Sequence, residues 1–249
     1  MNEVSQLFDA RAGAYASFRP HYPAALFDWL SRHCRDHQRA LDLACGNGQA
    51  SQRLPRYFTR VLASDASLGQ LRAAGTIPGV SFYAASAETQ PLADASLDLI
   101  VVAQALHWFA GPAFFAEVAR LLKPGGLFCA WCYSLMSIDE RLDPLIDAFY
   151  RETLKDYWPQ GRASVDAGYR DIQMPFARIE APTFAIEAHW HFDHLTGYLR
   201  TWSAVQRWER QHGRDPVSEL IPQLRQAWGD GEPVRLVRWP LHLLTGIRN

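Results

Sequence analysis

The stretch Ala40-Leu41-Asp42-Leu43-Ala44-Cys45-Gly46-Asn47-Gly48-Gln49-Ala50 constrains this chain more than any other. An apolar run interrupted by one acid gives way to two glycines spaced by one residue, and a helical pattern begins at Gln49. That order predicts a buried strand, a tight turn and a helix start. Glycine permits positive φ and lets a ligand approach the backbone where a Cβ would otherwise stand. The helix beyond directs free N–H groups and the positive end of its dipole into the turn.

A second acid narrows the ligand. The strand-like run Arg60-Val61-Leu62-Ala63-Ser64 leads to Asp65, 19 residues after Gly46. In dinucleotide-binding folds an acid about 20 residues past the glycines accepts hydrogen bonds from ribose hydroxyls. A ribose-bearing ligand is therefore expected. A full nicotinamide-dinucleotide fingerprint would place a third glycine near Ser51, and none stands there.

Residues 39–131 alternate between strand and helix patterns. Strands are expected near 39–43, 60–64, 80–84, 97–102 and 126–132, and helices near 49–57, 67–75 and 112–122, with a weaker turn at 88–92. Such alternation implies a parallel sheet covered on both faces. Ligands of these sheets bind past the carboxyl ends of the strands, where Asp42, Asp65, Ser86 and Gln104 all fall. Two helices are expected before the first strand, broken by Pro20 and Pro23, with Pro23 opening the helix 24–34. After Trp131 the alternation stops. A long helix over 138–158, a loop over 161–174, one or two strands over 176–190, a helix over 194–208 capped by Asp193, a helix over 216–228 and a closing strand or hairpin over 234–247 are expected.

The segment Asp42-Leu43-Ala44-Cys45-Gly46-Asn47-Gly48 resembles the first motif of the class I S-adenosylmethionine (SAM) methyltransferases, D-x-G-x-G-x-G. Ala44 replaces a commoner glycine, a substitution that fits as long as φ there is negative. Ser86-Ala87-Glu88 stands where many members read Asp-Ala-Glu beside the adenine, and Ser96-Leu97-Asp98-Leu99-Ile100-Val101-Val102 is similar to the fourth strand. Leu121-Leu122-Lys123-Pro124-Gly125-Gly126 resembles the turn before the fifth. Ala103-Gln104-Ala105-Leu106-His107-Trp108-Phe109, Phe18-Arg19-Pro20-His21-Tyr22-Pro23 and Tyr198-Leu199-Arg200-Thr201-Trp202-Ser203 resemble the trans-aconitate methyltransferase-like branch of the type 11 group.

The resemblance implies an α/β fold with a doubly wound, mostly parallel seven-stranded sheet and a helical cap. A single domain over 1–249 would divide into a lid (1–37), a SAM-binding core (38–132), a cap with the sixth strand (133–228) and a closing strand (229–249). Cofactor contacts are expected from Tyr15, Phe18 and Arg19 of the lid, and from Asp42, Ala44, Cys45, Gly46, Asn47 and Gly48 of the turn. Asp65, Ala66, Ser86, Ala87, Glu88, Gln104 and Ala105 complete that set. Phe18 and Tyr22 would alternatively pack a helix onto the sheet. The expected cofactor is S-adenosylmethionine, leaving as S-adenosylhomocysteine.

Methyl transfer from a sulfonium needs alignment and exclusion of water, and no metal. A carboxylate acceptor is already nucleophilic, whereas a phenol or amine must lose a proton. His107 and Trp108 follow the fourth strand and are the candidate catalytic residues. His107 would act as a base or orient the acceptor, or else be a structural or cofactor-contacting histidine. Trp131, His189, Arg200 and Trp202 are the candidate substrate contacts. His189, His191 and His194 form H-x-H-x-x-H, yet no acid or cysteine at fixed spacing completes a ligand set, so no metal is expected.

Four cysteines include the pair Cys129 and Cys132, which lie on a strand and point to opposite faces. A net charge of −1 argues against a broad nucleic-acid surface, and 48% hydrophobic residues suffice for a substantial core. No apolar run reaches the ~20 residues of a membrane span, and residues 1–11 carry Glu3, Gln6 and Asp9 rather than a secretory pattern. The expectation is a cytoplasmic enzyme, monomer or homodimer, that methylates a small molecule, first a carboxylic acid and alternatively an amine, phenol or carbon. A SAM-binding module without catalysis and an NAD-dependent oxidoreductase are the rival classes.

Overall fold

The computed structural model describes residues 18–231 and 233–249. The expected lid helix at residues 6–9 and Tyr15 lie outside them. Helix α1 (Ala24–His33) follows Pro23, whose φ of −67° suits a helix entry, and buries Leu26, Phe27, Trp29 and Leu30. Strands β1 (Arg39–Leu43), β2 (Arg60–Asp65), β3 (Val80–Ala84), β4 (Leu97–Ala103) and β5 (Leu122–Tyr133) then alternate with α2 (Leu68–Ala74) and α3 (Pro112–Leu121). Ser67 caps α2 by accepting the Gln70 amide.

Strands β1 to β5 are parallel. Strand β8 (Arg235–Ile247) runs antiparallel beside β5, and β6 (Ala177–Arg178) and β7 (Phe184–Trp190) both pair with its far edge. The eight strands thus occupy the expected seven positions, because β6 and β7 lie end to end along β8 with Pro182 between them. The order is β3-β2-β1-β4-β5-β8-β6. It reverses direction between β1 and β4, and the carboxyl ends of those two strands flank the resulting crevice.

Two apolar layers sandwich the sheet. On β5, Leu127, Cys129, Trp131 and Tyr133 enter one layer, and Phe128, Ala130 and Cys132 enter the other. Cys129 and Cys132 therefore do lie on opposite faces, and among the described residues all four cysteines are buried and free. Each fully buried large apolar side chain, such as Phe114 or Phe128, contributes roughly 1.5–3 kcal/mol.

Several expected elements differ. The helix over 49–57 is a 3-10 helix, Ser51–Arg56, because Pro55 sits inside it and supplies no N–H. The long helix over 138–158 is instead α4 (Asp143–Ala148), a π turn (Phe149–Thr153) and a 3-10 turn (Lys155–Tyr157). Pro144 starts α4 rather than interrupting a longer helix. The expected loop over 161–174 contains α5 (Arg162–Asp166). The helix over 194–208 is two helices, α6 (Phe192–Arg200) and α7 (Ser203–His212), split at Thr201 and Trp202, and Asp193 lies in the first turn behind His191 rather than at the cap. Helix α8 (Pro216–Trp228) is capped by Asp215, which accepts the Val217 amide. No described helix is long and apolar enough to cross a membrane.

Candidate active site

The glycine turn is fixed by backbone bonds. The Cys45 amide donates to the Ser64 carbonyl at 2.9 Å, and the Gly48 amide to the Cys45 carbonyl at 2.9 Å. Asp65 ties the turn to β2, with one carboxylate oxygen accepting from the Gly46 amide and the other from the Ser67 amide, both at 2.8 Å. Gly48 has φ +82°, and a Cβ there would stand 2.9 Å from Ile77 Cδ1. Ala44 departs from expectation, with φ +55°. The strand must turn sharply there, and alanine holds the left-handed conformation at a cost of roughly 1–2 kcal/mol. Gln104, at the end of the neighbouring β4, has φ +56°. Two of the four described non-glycine residues with positive φ thus stand at the strand ends that flank the crevice, the others being Ala95 and Tyr169.

Asp42 is fully buried in β1. Its Oδ2 accepts from Ser51 Oγ at 2.5 Å, and its Oδ1 has no partner among the described residues. Burial pushes its pKa up to about 7, opposed by the Ser51 bonds and reinforced by Asp65. A half-satisfied buried carboxylate fits a ligand that brings a cation or a donor. Asp65, at the rim, fits a diol. Asn47 is half-buried, Cys45 and Ala105 are buried, and Ala66 is exposed beside Asp65. Ser86 and Glu88 are exposed beyond β3, flanking the half-buried Ala87. The Ser86 carbonyl accepts from Gln90 Nε2 at 2.6 Å.

A cavity of about 50 Å³ adjoins the crevice at Gln104. That is room for a few water-sized groups. Its sheet side is Tyr133, Ser134 and Leu135 at the end of β5, and its cap side is Trp158, Arg162, Tyr198, Trp202 and Ser203, with Arg19 between them. Arg19 Nη1 donates to Tyr133 Oη at 2.8 Å, and its guanidinium lies 5.3 Å from the Tyr198 ring centre. Gln104 Nε2 donates to the Tyr133 carbonyl at 3.2 Å. Arg162 lies 4.7 Å from the Trp158 ring centre and 5.0 Å from that of Tyr150, and Trp202 packs edge-on against Tyr198 and Tyr150.

The structure separates several expected site residues. Trp202 and Arg19 line the cavity with Gln104. Arg200 does not, since its Nε donates to Asp215 at 2.8 Å. His189 is exposed on β7 opposite Leu236. Trp131 is fully buried beneath the rings of Tyr22 and Phe27, so Tyr22 packs against the sheet at β5. Phe18 rests on Gly197 of α6, where a Cβ would stand 2.4 Å from its ring, and lies edge-on to His194.

His107 Nδ1 lies 3.1 Å from Tyr169 Oη, and its ring packs against Trp108. Gly161 has φ +87°, and a Cβ there would stand 2.6 Å from the His107 carbonyl oxygen. Burial, and secondarily Arg162, lower the His107 pKa to about 3, so the imidazole is neutral at physiological pH and a weak base. Neither His107 nor Trp108 is among the cavity-lining residues. Tyr133, Ser134, Leu135, Trp158, Arg162, Tyr198 and Ser203 are the lining residues absent from the expected site set. Tyr150, Trp158 and Arg162 lie on three different turns, and no periodicity joins them. Among the described residues no group of three His, Cys, Asp or Glu is placed to hold a metal ion.

Residues 41–130 match the family model of a methyltransferase domain. A provisionally named methyltransferase of Dictyostelium discoideum is 32% identical over 246 residues, covering 95% of this chain and 93% of that protein. The solved structure of a provisionally named type II methyltransferase from Anaeromyxobacter dehalogenans superposes with TM-score 0.86 at 43% identity, over 92% of this chain and 98% of that one. A malonyl-[acyl-carrier protein] O-methyltransferase of Hahella chejuensis (strain KCTC 2396) is 31% identical over 140 residues, which is 52% of this chain and about half (49%) of that relative.

Proposed function

The chain belongs to the class I S-adenosylmethionine-dependent methyltransferases, and from that premise we propose that its acceptor is a small carboxylic acid, methylated on oxygen. When bound, the cofactor supplies an activated methyl group. The turn around Gly46 and Gly48 and the Asp65 carboxylate hold its amino-acid and ribose parts. Asp42, whose Oδ1 has no partner among the described residues, would offset its positive charge.

The observation that carries the acceptor reading is the cavity beside Gln104. Two guanidinium groups, Arg19 and Arg162, line it, and no Asp or Glu does so among the described residues. Such a site attracts a carboxylate and repels an ammonium group. A carboxylate also needs no proton removed, in keeping with a His107 imidazole whose pKa near 3 makes it a poor base. A phenol would need a base that the lining does not contain. The chain's own task is to exclude water with Trp158, Trp202 and Tyr198 and to align the acceptor oxygen with the methyl group. The relative named malonyl-[acyl-carrier protein] O-methyltransferase supports the same reading.

The test is to incubate the purified protein with methyl-labelled cofactor and a panel of small acids, amines and phenols, and to follow products by mass spectrometry. The expected product is a methyl ester, lost on mild alkaline treatment. An alkali-stable methylated amine or phenol as the main product would overturn the reading.

A further inference from the structure

The cap chain crosses from one side of the sheet to the other between Leu154 and Val165, and returns between Phe176 and Phe184 after passing the edge of the sheet. Tyr150 and Leu154 belong to the first apolar layer, and Val165 and Tyr169 to the second. The first crossing passes over the carboxyl end of the sheet, where Gly161 abuts the His107 carbonyl. Arg162 is the next residue, and this places its side chain in the cavity.

Its guanidinium is held on one side only. Nε donates to Tyr150 Oη and to Asp166 Oδ1, the latter at 3.2 Å, and Tyr150 Oη donates to the same Asp166 oxygen at 2.7 Å. The rings of Trp158 and Tyr150 pack against the guanidinium plane. The two terminal nitrogens make no hydrogen bond among the described residues. A planar fork with its stem fixed and its two ends open is the arrangement that receives a carboxylate in two parallel bonds. Arg19 is placed differently, with Nη1 committed to Tyr133 at the end of β5, on the sheet side of the cavity.

We propose that Arg162 is the specificity-determining residue of this site, and that it holds a second, non-reacting anionic group of the acceptor. The proposal rests on the carboxylate reading above. The reacting carboxylate sits toward Gln104 and Arg19, and the second anion toward the cap. Acceptors carrying two negative charges are then preferred over otherwise matching acids that carry one. Arg162 touches the acceptor away from the reacting oxygen, so its loss acts on acceptor binding and not on the cofactor.

The experiment is equilibrium dialysis of labelled succinate and labelled butyrate against the protein saturated with S-adenosylhomocysteine. The two acids have the same chain length and differ by one terminal carboxylate. Succinate is expected to bind about tenfold or more tightly than butyrate, the size of one charge-assisted bidentate pair. Arg162→Gln should remove that preference while butyrate and S-adenosylhomocysteine affinities stay within about twofold, and Arg162→Lys should restore part of it. Equal binding of the two acids, or of neither, overturns the proposal. So does an Arg162→Gln loss that falls equally on both acids, the mark of a merely structural residue. A succinate preference with methylation only of amines or phenols would sink the carboxylate reading and leave the Arg162 assignment standing. Ester formed as readily on butyrate as on succinate would do the reverse.

Discussion

The glycine turn and the cap cavity lie on either side of Gln104, yet they are built from different parts of the chain. The turn works with backbone. Its amides bind Asp65 and Ser64, its side chains are small, and its φ angles are positive at Ala44, Gly46 and Gly48. The cavity works with side chains. Rings of Tyr198, Trp158 and Trp202 enclose two guanidinium groups brought from residues 19 and 162. A backbone site must be contiguous, because neighbouring amides have to converge. A side-chain site has no such requirement, and its parts come from five separate segments. Under the proposed function the first kind holds the cofactor and the second holds the acceptor.

The division can be broken at four points. The largest effect is expected at Asp42, on the cofactor side. Its native pKa of about 7 exceeds the ordinary 3.8, so the unfolded chain ionises first and the native state retains the proton. The cofactor-free protein therefore loses stability as pH rises from 3.8 toward about 7, by on the order of 4 kcal/mol when complete. Asp42→Asn should raise the melting temperature of the cofactor-free protein over wild type, with a gap wider at pH 8.5 than at pH 5, while SAM affinity drops. A gap that does not change with pH would show that the buried carboxyl is not the source.

Next comes Gly161, on the cap side. Valine there forces a Cβ into the His107 carbonyl and strains a φ of +87°. Methyl transfer should fall by about 100-fold, the cost of a misplacement near 1 Å, with SAM affinity by calorimetry within twofold. If affinity falls in parallel, the two sites are one cooperative unit and the division is wrong. Asp65→Ala should weaken SAM binding by roughly 1.5–3 kcal/mol, because a charged acceptor is lost, and leave succinate binding unchanged. The smallest effect belongs to Ala44→Gly. It relieves a left-handed alanine worth about 1 kcal/mol and adds unfolded-chain entropy of about 0.4–1 kcal/mol, so urea denaturation should shift little. A clear loss of SAM affinity would show that the Ala44 methyl group itself is used.

The same contrast explains what was legible in the residues. Strands β1 to β5, the doubly wound order and the turn could all be read, because short apolar runs and glycine spacing are local signals. The sign of φ at Ala44 could not, since alanine ordinarily avoids that region and only the packing of β1 against its neighbours imposes it. In the cap, Pro144 falls inside what reads as one long helix and instead opens α4, and Pro182 lies between β6 and β7. Arg200 and Arg162 look alike in sequence. Asp215, needed to cap α8, engages the first, and a crossing at Gly161 delivers the second to the cavity. His107 sits where a strand-end motif predicts chemistry, but Tyr169 and Gly161 make it a joint between sheet and cap.

Strand β8 is inserted between β5 and the β6–β7 edge, pairing Leu127 with Ile247 and Tyr133 with Leu241, partners more than a hundred residues apart. During synthesis the apolar edge of β5 must therefore stay open while the whole cap is made. Closure then pays a long-loop entropy before any ladder bond rewards it. Pairing of β8 ties β5 to the interrupted edge formed by β6 and β7. A nascent chain stalled before β8 would expose Phe128, Ala130 and Trp131 along an unpaired strand, a template for association with other chains. The strand that joins the cap edge to the parallel sheet is thus the latest made of the described strands.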